Sequence, residues 1–288
     1  MRRFAYERPE TLAEATRLLS EAGAGARILA GGTDLVVGLR DDSIQPDVVV
    51  DLKWVTDLGG ETITQDDGVL TFIALAVMGE IEADPRVLQE LPALAEAARV
   101  VGSVQIRNRA TLAGNICNGS PAADTAPPLL VYGATVTVAG PSGERRVPID
   151  DFIVGPGTVA LERGELVTAI EVPIPAPHFG AAYARLVRRR GTDLASVTLC
   201  ASVDADGTAR LAYGSVGPRA FLVSDTSGVL GDPDAAPDAR AAILDELLSL
   251  ATPSVRSIRA SPDYRLAMLR VLAMRALDTA LERRGVVA

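Results

Sequence analysis

The sequence predicts an α+β protein of two domains. Strands alternate with helices near the N-terminus, as in a small parallel sheet, whereas later strands are joined by hairpin turns. A proline-rich segment, Pro173–Gly180, then interrupts both patterns. Because closely spaced prolines stop helices and sheet ladders, we expect domains at residues 1–176 and 177–288. The first is expected to divide into subdomains at about 1–58 and 59–176.

The first subdomain has a β-α-β-α-β pattern. Apolar residues at helical spacing predict a helix over Glu10–Glu21, ended by Gly23 and Gly25. Around it, the following segments are predicted: a short buried strand at Arg27–Ala30, a helical turn at Asp34–Arg40 and a second buried strand at Asp47–Leu52.

The second subdomain is predicted to be mostly antiparallel. Its predicted elements are a strand at Val69–Ala74, a helix at Pro85–Val101, a hairpin of Ala134–Ala139 with Arg145–Ile149, and a strand at Glu165–Val172. Beyond the proline-rich segment we predict strands at Ala182–Leu186, Ala195–Asp204 and Ala209–Gly217, a loop at Asp232–Pro237, and helices at Ala239–Thr252 and Pro262–Arg284.

Composition excludes several classes of protein. The net charge is −9 and no basic tract is long enough to follow a nucleic-acid backbone. Residues Met1–Pro9 are charged and lack the apolar core of a secretory signal, and no apolar run reaches the length of a membrane span. Two cysteines do not make a disulfide framework. We therefore expect a cytoplasmic protein.

The supply of metal ligands and nucleophiles is also small. With two cysteines and one histidine, the chain cannot hold an iron–sulfur cluster in the usual way or build a Cys/His zinc site. A triad could use only His178, which lies among prolines with no nucleophile motif nearby. We interpret His178 as an ordinary linker residue, and we predict no catalytic residue and no metal site on this chain.

A first glycine loop follows the strand at Arg27–Ala30. Gly31 and Gly32 lead into a helical turn that begins near Asp34. Glycines let a ligand approach the backbone, and free N–H groups at a helix start favour phosphate, although the spacing matches neither the Rossmann nor the Walker A motif. The alternative is a tight strand–helix turn in which Asp34 is the N-cap.

A second segment of small and polar residues runs from Gln105 to Asp124. Long segments without regular structure are uncommon and are usually functional. Thr111, Gly114 and Asn115 offer donors for a diphosphate, and Asp124 can accept hydrogen bonds from sugar-type hydroxyls. The alternative is an ordered loop in which Ser, Asn and Asp side chains cap their own backbone.

Together these two segments resemble the FAD-binding medium subunit of the molybdenum hydroxylases. The first is Ala-Gly-Gly-Thr-Asp-Leu at 30–35, and the second is Gln-Ile-Arg-Asn-Arg-Ala-Thr-Leu-Ala-Gly-Asn-Ile-Cys-Asn-Gly-Ser-Pro-Ala-Ala-Asp at 105–124. The Pro-Ala-Ala-Asp form with Cys117 and Asn118 is more similar to bacterial xanthine dehydrogenases than to carbon monoxide dehydrogenases. The resemblance continues through Tyr183-Ala184-Arg185, Gly214–Pro218 and Ala260–Arg265.

The resemblance implies a PCMH-type FAD-binding domain of two subdomains, followed by a C-terminal domain with a three-stranded sheet and helices that covers the site. FAD would lie extended between the subdomains. The implied cofactor-binding residues are Ile28, Leu29, Ala30, Gly31, Gly32, Thr33, Asp34 and Leu35 in a first pyrophosphate loop, Thr111, Leu112, Ala113, Gly114 and Asn115 in a second, Asp124 as a polar contact, and Val101 and Val167 beside the flavin.

One position departs from the family pattern. Relatives often carry a lysine two residues after the aromatic that Tyr183 matches, whereas this chain has Arg185. Arginine keeps the positive charge that would stabilise a reduced anionic flavin, so we include Arg185 as a cofactor-binding residue. The alternative is a strand residue that faces solvent. For Arg188–Arg190 we favour surface ion pairs or subunit docking over nucleic-acid binding.

The resemblance further implies an electron relay within an oxidoreductase. Electrons would arise at a large molybdopterin subunit, cross two [2Fe–2S] clusters of a small subunit, and pass through FAD here to NAD, oxygen or a quinone. The three chains would form a heterotrimer that dimerises. Two alternatives stay open: a self-sufficient PCMH-type flavin oxidoreductase with its own substrate pocket, and a flavin-free scaffold subunit. The substrate and the physiological acceptor are not encoded in any recognisable motif.

Overall fold

The computed structural model describes residues 2–285, and its first subdomain is a small parallel sheet. The middle strand is β3, and the sheet order is β1-β3-β2 with every pair parallel. The elements are β1 (Ala5–Glu7), α1 (Leu12–Ala22), β2 (Ala26–Leu29), α2 (Leu35–Arg40) and β3 (Val48–Asp51). Helix α1 begins at Thr11, whose hydroxyl accepts the Glu14 N–H, and ends at Gly23, which has a positive φ of 53°. The predicted β-α-β-α-β pattern is confirmed.

The second subdomain is a five-stranded antiparallel sheet of order β4-β5-β10-β6-β7. Its strands are β4 (Ile63–Asp66), β5 (Val69–Ile73), β6 (Thr135–Gly140), β7 (Gly143–Pro148) and β10 (Leu166–Pro173), and a separate hairpin consists of β8 (Ile153–Gly155) and β9 (Thr158–Val159). Its helices are α3 (Met78–Ile81), α4 (Pro85–Glu90), α5 (Pro92–Arg99), α6 (Val104–Arg107), α7 (Leu112–Cys117), α8 (Ala126–Val131) and α9 (Ile149–Phe152). The sequence did not predict β4, β8, β9, α3 or α9.

Two predictions in this subdomain were wrong. The single helix over Pro85–Val101 is two helices, because Pro92 lacks an N–H and forces Leu91 out of helical geometry, to φ −129° and ψ 51°. The segment Gln105–Asp124 is not structureless, since it contains α7 and part of α6. These helices are each a turn or so long, too short for hydrophobic periodicity to reveal.

The C-terminal domain has a four-stranded antiparallel sheet of order β11-β12-β13-β14, one strand more than predicted. Its elements are β11 (Gly180–Leu186), β12 (Val197–Val203), β13 (Ala209–Gly214), β14 (Phe221–Asp225), α10 (Pro237–Leu248) and α11 (Pro262–Arg283). The missed strand β14 is short and mostly half-buried, so its residues lack a clear alternation. Residues 286–288 of the predicted domain lie outside the described residues.

The C-terminal sheet lies between two apolar clusters. One face packs against α11, and the other contributes Cys200 and Ala212 to the core of the first domain. The sheet of the C-terminal domain is therefore held on both faces, so its position against the first domain is fixed by packing.

Between residues 2 and 285, no helix is both long and apolar enough to cross a membrane.

Gly180 sets how closely β11 approaches α11. A Cβ at this position would lie 1.9 Å from the Ala280 carbonyl oxygen, which is a backbone atom that cannot rotate away. We predict that Gly180→Ala lowers the free energy of unfolding by about 1–3 kcal/mol, the usual cost of overpacking, as measured by urea denaturation. Gly155→Ala is the matched control, because a Cβ there meets no atom within 4 Å. Equal stability of the two variants would contradict this account.

Candidate functional site

The two glycine loops that the sequence singled out are in backbone contact. A Cβ on Gly31 would lie 1.9 Å from the Arg109 carbonyl oxygen and 3.1 Å from the Ala110 Cα. Gly32 follows with a φ of 79°, in the left-handed region that favours glycine. The first loop therefore packs directly against the chain that enters the second loop. A residue with a side chain at position 31 would push the two loops apart.

The first loop presents unused backbone donors. Four consecutive N–H groups donate to no acceptor within residues 2–285: those of Gly31, Gly32, Thr33 and Asp34. The first three residues are half-buried and Asp34 is exposed, so a ligand can reach these groups. Asp34 occupies the N-cap position of α2, as in the alternative interpretation, but its side chain makes no capping hydrogen bond. A row of free N–H groups beside glycines fits an anionic group such as a phosphate.

The second loop is anchored to the core of the second subdomain. The Ala110 carbonyl accepts the Met78 N–H at 2.9 Å, and the Leu112 N–H donates to the Ala76 carbonyl at 3.0 Å. Thr111 is buried, and its hydroxyl accepts the Gly114 N–H at 3.0 Å as the N-cap of α7. These bonds hold the start of α7 rigidly where the first loop arrives.

A hydrogen bond connects the second loop to the segment that carries Asp124. The Thr125 hydroxyl donates to Asn115 Oδ1 at 2.6 Å, and Thr125 is fully buried. The hydrogen bond from Thr125 thereby fixes the orientation of the Asn115 side chain. The structure thus brings the first loop, the second loop and the segment that carries Asp124 into contact, and their joint role in holding a cofactor stays a prediction.

Asp124 lies in a buried polar cluster with two residues of β11. The Tyr183 hydroxyl donates to Asp124 Oδ1 at 2.5 Å, and the Arg185 Nη1 lies 3.2 Å from Oδ2. Burial raises the pKa of Asp124, and the Tyr183 hydrogen bond and the Arg185 charge only partly oppose it. Burial and the adjacent carboxylate also raise the pKa of Tyr183 well above its ordinary value. Arg185 therefore does not face solvent, and Tyr183, for which no role was predicted, lies with it against Asp124.

The remaining predicted residues contribute packing. Val167 is buried on β10, the strand against which α7 packs, and half-buried Val101 packs on the same core.

The three arginines at 188–190 lie at the surface, where Arg188 pairs with Asp193 at 2.8 Å and Arg189 donates to the Thr192 carbonyl. His178 is exposed on the linker with a φ of 63°.

Two further observations concern other kinds of site. A cavity of about 560 Å³ lies beside the proline-rich linker, between α8 and the β12–β13 turn, and none of the predicted site residues lines it. Within residues 2–285, no three His, Cys, Asp or Glu side chains are grouped so as to hold a metal ion. The first loop thus remains the place where free backbone donors are grouped.

Comparison with known proteins places both domains. Residues 2–175 match the FAD binding domain in molybdopterin dehydrogenase, and residues 181–280 match the CO dehydrogenase flavoprotein C-terminal domain. The chain is 32% identical to the xanthine dehydrogenase FAD-binding subunit of Escherichia coli O157:H7 over 285 residues, covering 97% of each chain. It is 31% identical to the carbon monoxide dehydrogenase medium chain of Hydrogenophaga pseudoflava over 284 residues, covering 98% of each. The two identities are nearly equal and favour neither branch.

A solved structure has the same fold throughout. The carbon monoxide dehydrogenase of Hydrogenophaga pseudoflava that lacks the Mo-pyranopterin moiety of its cofactor superposes with a TM-score of 0.89 at 31% identity, covering 98% of each chain. The predicted fold class, a two-subdomain α+β FAD-binding domain followed by a sheet-and-helix domain, is confirmed.

Gly31 gives a direct test of the contact between the loops. We predict that Gly31→Ala weakens FAD binding by about tenfold to a hundredfold, the loss of one or two charge-assisted hydrogen bonds, because the loops must separate. Titration of the flavin-free protein with FAD measures the dissociation constant, with Gly155→Ala as the control. Undiminished affinity in Gly31→Ala would show that the contact is dispensable.

Tyr183 gives a test of the polar cluster through pH. Because the pKa of Asp124 is raised in the folded state, this carboxyl contributes its full stabilisation at a pH below about 3.9, its pKa in the unfolded chain. That stabilisation is lost as the pH rises through the pKa of the folded state. Tyr183→Phe removes a hydrogen bond that lowers this pKa, so the pKa should rise further. We predict that the variant loses more thermal stability at neutral than at acidic pH.

The control for this experiment is Tyr264→Phe, since Tyr264 is half exposed on α11 and its hydroxyl forms no hydrogen bond among the described residues. Thermal melts over a pH series measure the difference between each variant and the wild type. A Tyr183→Phe deficit that is constant with pH would mean that the hydroxyl does not act on the charge of Asp124.

Proposed function

We propose, from the premise that this chain belongs to the family of FAD-binding medium subunits of the molybdenum hydroxylases, that it holds FAD as an electron relay in an oxidoreductase complex. Electrons arise at a large molybdopterin subunit and reach this chain from the [2Fe–2S] clusters of a small subunit. They leave to NAD, oxygen or a quinone. The three chains form a heterotrimer, dimerised and cytoplasmic.

The observation that carries the proposal is the backbone contact between Gly31 and Arg109, which joins the first loop, with its free N–H groups, to the chain that enters α7. A diphosphate needs several N–H groups at close range, and the first loop supplies four that are free among the described residues. The donors and the glycine cradle fit FAD. FAD, when bound, supplies a flavin that can take electrons singly and hand on two.

Each part of the chain has a separate task in this proposal. Residues 28–35 would hold the diphosphate through the free N–H groups of the first loop, residues 111–115 would lie beside it, and Val101 and Val167 would give the flavin apolar walls. Asp124 accepts hydrogen bonds from the cofactor, in addition to those it receives from the C-terminal domain. The domains at 1–176 and 177–288 meet at this cluster, which is where the C-terminal domain covers the site.

Arg185 supplies a positive charge at the edge of the site. It is mostly buried, with 13% of its side chain exposed, and its only ion-pair partner among the described residues is Asp124. The Asp124 carboxyl that pairs with it also accepts a hydrogen bond from the Tyr183 hydroxyl, and burial raises the pKa of that carboxyl. An arginine in this setting stabilises negative charge on a bound reduced flavin, as the lysine common in relatives would.

The contacts of the chain favour a relay over a self-sufficient oxidase. An oxidase needs an acid or base at the substrate, and often a covalent link from flavin to His or Cys. His178 lies exposed on the linker, and burial of the Cys117 thiol raises its pKa to about 12, which keeps it protonated and unreactive. Neither residue is suited to flavin attachment.

The experiment that tests the proposal combines flavin release with co-purification. We predict that the protein isolated at native expression shows flavin absorbance, and that acid precipitation releases all of the flavin into the supernatant. Iron–sulfur and molybdenum subunits should accompany the chain. Flavin that stays with the precipitate would favour the self-sufficient oxidoreductase.

Two other results would count against the relay. Absence of flavin bands after reconstitution with FAD would favour a flavin-free scaffold. Recovery of the chain alone, with flavin but with no iron–sulfur or molybdenum subunit, would remove the electron donor that the proposal requires.

A further inference from the structure

A buried carboxylate and the only lysine of the chain lie directly behind the first glycine loop. Asp51, at the end of β3, is 1% exposed, and Lys53 follows it in a single helical turn. The Lys53 Nζ lies 2.5 Å from Asp51 Oδ1 and 3.4 Å from the Ala30 carbonyl oxygen.

Asp51 is held from two sides. The Tyr6 hydroxyl on β1 donates to Oδ2 at 2.5 Å, while the Lys53 backbone N–H donates to Oδ1 at 3.0 Å. Burial alone would raise the pKa of Asp51, but the hydrogen bonds from Lys53 and Tyr6 outweigh it and lower the pKa. The carboxylate is thus charged and fixed, and it fixes the ammonium of Lys53 in turn.

The position of this ammonium determines the direction of a peptide group in the loop. The Ala30 carbonyl and the Gly31 N–H belong to one planar trans peptide, so they point in opposite directions. Since the carbonyl faces Lys53, the Gly31 N–H faces away from it. That N–H is one of the donors left free among the described residues.

We propose that Lys53 is a positioning residue for the first phosphate loop: held by Asp51 and Tyr6, it orients the Ala30–Gly31 peptide toward the FAD diphosphate and offsets the carboxylate charge behind it. This inference rests on the proposed function, because it assumes that residues 28–35 receive the diphosphate. Gly31 is then fixed on both sides, by Lys53 through its peptide and by the Arg109 carbonyl at its Cα.

The test compares FAD affinity in flavin-free protein, with thermal stability measured on the same samples. We expect Lys53→Met to weaken FAD binding by about tenfold, the size of one charge-assisted hydrogen bond, and Lys53→Arg to retain most of the affinity. The matched control is Arg27→Met, because Arg27 donates to the Ala24 and Ala26 carbonyls in the same sheet without reaching the loop. Its affinity for FAD should be unchanged.

A pH series separates positioning from simple loosening of the loop. Without Lys53, the carboxylate of Asp51 is left with Tyr6 as its side-chain partner, and its pKa should rise. Tyr6 approaches Asp51 from β1, whereas Ile28 and Leu29 on β2 do not titrate. As the pH falls, protonation of Asp51 should remove the uncompensated negative charge. The difference in FAD affinity between Lys53→Met and the wild type should then become smaller.

The double variant Asp51→Asn/Lys53→Met gives an independent check, since it removes the stranded charge. It should bind FAD more tightly than Lys53→Met alone. Three results would overturn the inference while leaving FAD binding by the wild type intact. They are an unchanged FAD affinity in Lys53→Met, a loss of affinity in Lys53→Met that does not depend on pH, and an equal loss of affinity in Arg27→Met. Failure of the wild type to bind FAD would instead overturn both this inference and the proposed function.

Discussion

The contact between Gly31 and the Arg109 carbonyl is the constraint on which the rest of the site depends. It joins a parallel sheet to an antiparallel one by backbone alone, at a distance that only glycine permits. Each loop has its own support, Lys53 behind the first and the hydrogen bonds to Ala76 and Met78 beneath the second. Because both sides are anchored, the contact holds the free donors of the first loop in a fixed position beside the chain that enters α7.

The C-terminal domain completes the site through the free edge of β11. Glu96, on α5 of the first domain, accepts the Tyr183 N–H at 3.0 Å and forms an ion pair with Arg283 at the end of α11. Arg283 also donates to the Ala181 carbonyl at 2.6 Å. These bonds fix β11 where the side chains of Tyr183 and Arg185, two residues apart and on one face, both reach Asp124. The bonds that dock the C-terminal domain on the first domain therefore also place Tyr183 and Arg185 against Asp124.

Much of the site could be predicted because its function is carried by local backbone. The glycines of the first loop and the Thr-Leu-Ala-Gly-Asn segment of the second are recognisable wherever they occur, and alternating strands and helices predicted the parallel sheet around β3. The roles of Tyr183 and Lys53 could not be predicted in this way. Tyr183 meets Asp124 across 59 residues of sequence, and Lys53 meets Ala30 across 23, so only the tertiary fold brings them together. The break at Pro92 had a local signal, but the apolar periodicity on either side of it was given more weight.

The central claim is that electrons pass through this chain and that no substrate is oxidised on it. Anaerobic rapid-mixing absorbance measurements test it most directly, by following the flavin bands of the isolated chain and of the assembled complex after addition of the substrate of the complex. The account predicts that the flavin bleaches only in the complex, and only after the absorbance of the iron–sulfur clusters begins to change. Bleaching of the isolated chain by that substrate would contradict it.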